Sequence, residues 1–358
     1  MPGSLVSVII PTYNRAYCVG RAIDSALGQT HTDMEVVVVD DGSTDDTRDM
    51  IKSRYGAEPR VVYHHQANKG IAGARNAGLA RASGDYIALL DSDDEWRDWK
   101  IELQLACMRA HPEVGMTWTD MVAIDPDGKV LSPSFLRQMY SAYGWFPTSE
   151  SLFSGAHALD AISPLAKQVA PGRKFFHGDI GWQILMGNLV HTSTVLLTRE
   201  RALAVKEFRE DLRHAGEDYE FHLRTCRLGP VGYLDVPSIE YRRGRSDQAT
   251  VSSNSIHMAQ NFLKVIEPVL LDESEGRKPP RKMKRAVLAE AHAWIGEQQL
   301  QRNNGQEARR SFSRSLRYRP LQARSASLLL ASCLPSPWMD PARRILRAVR
   351  GLGGRKAL

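Results

Sequence analysis

The residue types best suited to chemistry in this chain are gathered in four short stretches within its first hundred positions. Leu89-Leu90-Asp91-Ser92-Asp93-Asp94-Glu95 places three carboxylates in four residues. They repel one another unless donors or a cation compensate, and hard oxygen ligands of this kind suit Mg²⁺ or Mn²⁺. The plain alternative is a solvated acidic turn. Asp40-Asp41-Gly42-Ser43-Thr44-Asp45 offers acceptors for the imide hydrogen of a uracil or for ribose hydroxyls, while Ser43 or Thr44 can cap a following helix. One carboxylate is expected to bind ligand and the others to cap. Asn68-Lys69-Gly70-Ile71-Ala72-Gly73-Ala74-Arg75-Asn76 reads as a glycine-bearing helix start with Arg75 nearby, a cradle for a diphosphate. Its spacing is neither that of a Walker loop nor GxGxxG. Pro11-Thr12-Tyr13-Asn14-Arg15 could flank a base with its backbone and ring, or be only a proline-initiated turn.

These stretches need elements to hold them. Residues 5–95 alternate β-branched runs with helical patterns, the signature of βαβ units in a mostly parallel sheet. The pattern predicts strands over Val6–Ile10, Glu35–Val39, Val61–His65 and Tyr86–Leu90, with helices over Ala16–Leu27, Asp45–Arg54 and Gly70–Ala82. All four stretches then lie where a doubly wound α/β sheet binds ligands, beyond the carboxyl ends of its strands. From Val114 to Pro171 the pattern loosens, with Asp125-Pro126-Asp127-Gly128 as a turn between antiparallel strands. Val190–Thr198 reads as a strand, Gly216–Leu228 as an acidic-started helix and Ser238–Arg243 as a last strand.

Charge divides the chain. Residues 273–358 hold 19 Lys/Arg against 6 Asp/Glu, so that the formal net charge of +6 combines a body of −7 with a tail of +13. Such a tail faces something anionic, or is a solvated helical surface. Aromatic residues are not interleaved with its basic ones, which argues against nucleic acid. The four cysteines are far apart and form no CxxC, so neither a disulfide framework nor a zinc motif is indicated and a reducing cytosol is expected. The opening MPGSLVSVIIP lacks a basic leader region and reads as a strand. No stretch approaches the roughly 20 apolar residues of a spanning helix.

The four motifs VSVIIPTYNR, VVVVDDGSTDDT, NKGIAGARNAG and DYIALLDSDD resemble, in order and separation, those of glycosyltransferase family 2. The resemblance is strong over residues 5–100 and looser over 101–250. It implies a GT-A fold: a doubly wound, mostly parallel α/β sheet, here with a helical C-terminal extension. It also implies a nucleotide-diphosphate sugar donor, a UDP-sugar by expectation, and inversion at the anomeric carbon. The positions implied to contact the donor are Pro11, Thr12, Tyr13, Asn14, Asp40, Asp41, Gly70, Arg75, Asp91 and Ser92. Pro11, Tyr13 and Asp40 would hold the nucleoside, Arg75 the phosphate region, and Asp93 with Asp91 the Mn²⁺ or Mg²⁺. The family's Glu-Asp pair is matched at Glu217-Asp218. Amide dipoles in a helix's first turn favour a carboxylate's charge, which suits Asp218 as the base that accepts a proton from the acceptor hydroxyl. His191-Thr192-Ser193-Thr194 matches the strand beneath the acceptor. After Tyr241-Arg242, where many members have a histidine, this chain has Arg243-Gly244-Arg245-Ser246. That departure leaves the second protein ligand of the metal open, and Arg243 or Arg245 stands available to neutralise the departing diphosphate.

The expected organisation is a catalytic domain over 1–254, its nucleotide-sugar half ending near 100, and a basic helical extension over 255–358. Within the extension, residues 289–322 place Ile295, Gly296, Ala308, Phe312 and Pro320 at tetratricopeptide spacing, but His292, Gln299 and Ser315 depart from it. A helix over about 341–350 sets Ile345, Leu346 and Val349 opposite Arg343, Arg344, Arg347 and Arg350, with Trp338 just upstream. It suits either peripheral contact with a membrane or packing on the protein. The partners expected are therefore the sugar donor, a glycan or lipid-linked acceptor and a membrane face, with no nucleic acid. The expected location is the cytoplasm, at or near the inner face of the membrane. A sugar-phosphate nucleotidylyltransferase would carry a Gly- and Arg/Lys-rich loop after its first strand, which PTYNRA is not. The remaining alternative is a catalytically degenerate donor-binding scaffold in a polysaccharide assembly complex.

Overall fold

A computed structural model of the chain describes residues 4–212, 214–244, 254–274 and 276–333. It divides into two compact units, one formed by Met1–Ile184, Asn188–Arg213 and Glu217–Ser246, the other by Leu185–Gly187, His214–Gly216 and Asp247–Leu358.

The first unit opens with β1 (Val6–Thr12), α1 (Val19–Leu27), β2 (Met34–Asp40), α2 (Thr47–Tyr55), β3 (Val61–His65), α3 (Gly70–Leu79) and β4 (Tyr86–Leu89). The short β5 (Glu95–Trp96) and α4 (Lys100–Ala110) follow. Then come β6 (Met116–Ile124), β7 (Val130–Ser132), α5 (Leu136–Met139), β8 (Gly155–Ala158), α6 (Leu159–Ile162), α7 (Ala166–Val169) and β9 (Lys174–Gly178). β10 (Leu196–Thr198), α8 (Arg199–Val205), α9 (Glu217–Arg227) and β11 (Val231–Arg242) complete it. The strands run β3-β2-β1-β4-β10-β6-β11-β9-β8, with β5 on β11 and β7 on β6.

β1 to β4 are all parallel, and β1 and the Val36–Val39 run of β2 are buried throughout, as strands covered on both faces must be. The order 3-2-1-4 reverses direction of winding between β1 and β4, which opens a crevice at their carboxyl ends. Beyond β4 the sheet is mixed. β10 pairs antiparallel with both β4 and β6, whereas β11 runs parallel to β6. The antiparallel β10 brings the residues just before it alongside the carboxyl end of β4, so that Leu89 N–H donates to Val195 O (3.4 Å).

Two elements differ from the sequence expectation. In place of a strand over Val190–Thr198, Thr192–Thr194 form a 3-10 turn and only Leu196–Thr198 pair. Hydroxyls take over the local hydrogen bonding: Thr194 Oγ1 donates to His191 O at 2.6 Å, and Val195 N–H to Thr192 O at 3.1 Å. The last strand starts at Val231, seven residues before Ser238, because Pro237 falls at a register shift and does not break the pairing. The turn at Asp125–Gly128 joins antiparallel β6 and β7, as its residues imply.

The second unit is helical: α10 (Ser255–Leu271), α11 (Arg281–Gln301), α12 (Gly305–Tyr318) and α13 (Ala323–Ala331). α11 and α12 pack closely, since a Cβ on Gly296 would lie 2.7 Å from the Phe312 ring. Leu300, Ala308, Phe312 and Leu328 form the core there, and Ser315 Oγ donates to Ala289 O at 2.8 Å. The expected helix over 341–350, with Trp338, lies outside the described residues. Among the described residues no helix is long and apolar enough to cross a membrane.

Candidate active site

The loop after β1 is tied to the loop after β2. Asn14, at φ 53°, accepts from Thr44 N–H through Oδ1 (2.8 Å) and donates its own N–H to Ser43 Oγ (2.9 Å). Asn14 is thus a bracket between the loops, while Tyr13 projects into solvent at 47% exposure. Pro11 and Thr12 are buried at the end of β1, where Thr12 O accepts Asp41 N–H.

The adjacent carboxylates Asp40 and Asp41 divide their work. Asp41 accepts Lys69 N–H (2.9 Å) and Gln66 Nε2 (2.8 Å) on one oxygen and Gly70 N–H (2.8 Å) on the other. It therefore closes the start of α3, where Gly70 takes φ 78°. Asp40 accepts Ser43 N–H at 2.9 Å and the Tyr63 hydroxyl at 2.7 Å. Its lone pairs are not exhausted by these two bonds.

The acid loop leaves the end of β4. Asp91 N–H donates to Ser193 Oγ, and the same hydroxyl donates to Asp94 Oδ2 at 2.5 Å. Asp94 Oδ2 also meets His191 Nε2 at 3.1 Å, and His191 Nδ1 meets the Tyr140 hydroxyl at 3.2 Å. The hydroxyl-rich segment before β10 thus braces the acid loop from below. Ser92 is buried, and Asp93 keeps an exposed edge, with Arg15 Nη1 3.7 Å away.

Arg75 joins this loop to α9. Its guanidinium donates 2.8 Å hydrogen bonds to Asp91 Oδ1 and to Glu217 Oε1. It lies over the Phe208 ring and is 2% exposed. The residue read as a phosphate ligand is therefore a buried link between two carboxylates. Glu217 and Asp218 occupy the first turn of α9, and the Asp218 charge acts on Arg75, His191 and Tyr140.

Burial disfavours charge on Asp91, Asp93, Asp94 and Glu217, and the neighbours decide the outcome. Desolvation, with Asp94 and Asp91 close by, pushes Asp93 up to about 7 against the pull of Arg15. Burial and Asp218 likewise push Glu217 up to about 7 against Arg75. Asp91 is buried too, but Arg75 holds it below the ordinary carboxylate value. His191 is raised despite burial by its bond to Asp94. The crevice thus carries more acid than its described cations balance.

Around the rim, Glu95 accepts Arg21 Nε and Arg242 Nη2, each at 2.8 Å, and Tyr241 meets His191 edge-on at 5.1 Å. Arg243 lies over Phe135, 4.8 Å from the ring centroid; Arg245 is outside the described residues. Asp94, Ser193 and Tyr140 are the site residues that the sequence did not single out. The hydroxyl run at 192–194 was the available signal for Ser193, and Tyr140 had none.

Residues 7–145 match the family model Glycosyl transferase family 2. The chain is 40% identical to chondroitin synthase of Escherichia coli over 137 residues, 38% of this chain and 20% of that protein. It is 45% identical over 105 residues to the putative teichuronic acid biosynthesis glycosyltransferase TuaG of Bacillus subtilis, 29% of this chain and 42% of that one. The chain therefore spans less than half the length of these curated relatives. Among solved structures, S. aureus TarS 1–349 superposes with a TM-score of 0.56 at 18% identity, over 98% of this chain and 93% of that one. TarS 1–349 has also been solved with UDP and with UDP-GlcNAc. Mannosyltransferase PcManGT from Pyrobaculum calidifontis, in complex with GDP-Man and Mn²⁺, superposes at 0.50 with 19% identity, over 98% and 88%. The fold is the GT-A arrangement with a helical C-terminal region.

Proposed function

We propose that the chain is an inverting glycosyltransferase that moves a sugar from a nucleotide-diphosphate sugar, of the UDP type, to a hydroxyl of a glycan or lipid-linked acceptor in surface polysaccharide synthesis. The observation that carries this reading is the Arg75 link. One buried guanidinium brings the acid loop at the end of β4 against the Glu217-Asp218 turn of α9. Donor-side and acceptor-side carboxylates thereby face one crevice. The polysaccharide chemistry of the relatives, chondroitin and teichuronic acid synthesis, supports that assignment, and the UDP, UDP-GlcNAc and GDP-Man complexes of the structural neighbours support the donor class.

A divalent cation fits the donor set. Asp93 has a partly exposed carboxylate, and burial with the nearby charges of Asp94 and Asp91 makes its ionisation costly until a cation offsets them. Asp93, with the Asp91 oxygen left free by Arg75, would hold Mn²⁺ or Mg²⁺ through hard oxygen ligands. Bound there, the cation offsets charge developing on the departing diphosphate. Asp40 binds the nucleoside while Asp41 caps α3, and Pro11, Thr12 and Tyr13 border the base. Asp218 accepts the proton of the acceptor hydroxyl as that oxygen bonds to the anomeric carbon and the bond to the diphosphate breaks. Arg75 keeps Asp91 and Glu217 in register. The catalytic domain takes residues 1–254, and the basic extension over 255–358 provides peripheral contact at the inner membrane face.

The test is release of nucleotide from a panel of UDP- and GDP-sugars, with thermal-shift binding beside it. We expect a Mn²⁺-dependent rise in melting temperature with one donor, as binding to the folded state requires. Binding indifferent to EDTA and to Asp93→Ala removes the cation from the reading. Donor binding with no turnover on any acceptor would instead mark a degenerate scaffold.

A further inference from the structure

Well away from the acid loop, at the end of the sheet opposite β3, three histidines converge. His157 on β8 and His177 on β9 share a sheet face. The register pairs His157 with Phe175 and Gly155 with His177, and residues two apart on a strand point the same way. His111, at the carboxyl end of α4, lies over them. Ring centroids are 4.2 Å apart for His111 and His177, 4.8 Å for His111 and His157, and 5.2 Å for His157 and His177. One ring nitrogen from each lies within 4.8 Å of the others.

Three further observations separate this cluster from a casual stack of rings. Glu113 Oε1 is 3.2 Å from His111 Nδ1, the carboxylate–imidazole pairing that fixes a tautomer and raises the basicity of the other nitrogen, and it lies 3.8 Å from His177 Nδ1. His177 Nε2 is buried with no hydrogen-bond partner, an unsatisfied acceptor or donor that needs an explanation. Any side chain at position 155 would overlap that same nitrogen, so Gly155 is what leaves it room.

We propose that His111, His157 and His177, oriented by Glu113, form a zinc site that clips the carboxyl end of α4 to the β8–β9 edge of the sheet. Imidazole nitrogens suit Zn²⁺, whereas the all-oxygen acid loop suits Mg²⁺ or Mn²⁺, so one chain sorts two classes of cation. Tetrahedral Zn–N bonds of about 2.0–2.1 Å put ligand nitrogens roughly 3.4 Å apart, so the rings close by about 1 Å on binding. His157 is exposed and gives the ion its path in.

Zinc chloride is titrated calorimetrically into the metal-stripped full chain in excess Mg²⁺, which occupies the acid loop. Co²⁺ substitution and X-ray absorption then report the ligands. One equivalent of zinc with imidazole ligands, a tetrahedral Co²⁺ spectrum and a raised melting temperature is expected. His157→Ala lies on the surface and keeps the fold; it should weaken binding by roughly tenfold or more, and Glu113→Gln by about 10–100-fold. Zinc that fails to bind, that lacks imidazole ligands, or that binds His157→Ala and His111→Ala as tightly as the parent would overturn the proposal.

Discussion

Arg75 is the residue whose replacement should cost the most. Arg75→Met leaves the buried Glu217 and the half-buried Asp91 without their shared cation, and breaking a buried pair such as Arg75–Glu217 costs about 3–5 kcal/mol. Urea unfolding should register that loss, with Arg75→Lys recovering only part because an ammonium lacks the guanidinium's fork. Asp218→Asn belongs to a different class: donor affinity should stay near that of the parent while transfer falls by about 10²–10⁴-fold. Wild-type turnover in that variant would exclude Asp218 as the base. Asp93 and Glu217 also set a pH dependence. Unfolded, they ionise near 3.8 and 4.5; folded and without metal, near 7. The folded chain then binds more protons across that interval, so metal-free stability is greatest below it and declines as pH rises through about 7. Glu217→Gln should flatten this profile in urea titrations, and a parent profile that is already flat would contradict the shifts. The acidic residue types were legible in the sequence, but their division of labour was not. Asp40 and Asp41 are neighbours in one turn, and only the placement of Gly70 and Tyr63 tells the carboxylate that closes α3 from the one that bonds Ser43 and Tyr63. The pairing of Arg75 with Glu217 was not legible, because the two lie 142 positions apart.

At the scale of elements, α3 depends on close approach to β1. A Cβ on Gly78 would overlap the Ile9 side chain, so Gly78→Val should push the helix off the strand at a cost of about 1–3 kcal/mol. A melting temperature equal to the parent's would show that the contact relaxes freely. The parallel half was readable because β1, β2 and β4 are largely apolar runs, and helical patterns separate the strands. Position 190 onward was not, since Thr and Ser favour strands by type yet here bond their own backbone and the acid loop. Pro237 concealed the first half of β11 for a similar reason, a local rule overridden by a register shift. The short helices between 136 and 169 have too few residues to show any period.

For the molecule as a whole, the uneven charge is the feature with a measurable reach. A segment of +13 attached to a body of −7 should hold the chain to vesicles containing anionic lipid at low salt. It should release it as the Debye length shrinks from about 10 Å at 0.1 M to about 3 Å at 1 M. Co-sedimentation that is independent of salt, or unchanged when residues 334–358 are removed, would assign the basic charge another role. The reversed β10 carries a further consequence for how the protein is made. Because Ser193 bonds the loop at Asp91 directly and Glu217 is joined to it through Arg75, a nascent chain that has emerged only through β4 has its parallel strands but lacks both of these later braces. Contacts between such distant positions form slowly, after the loops that separate them have closed. During translation the crevice is therefore completed only after α9 has emerged.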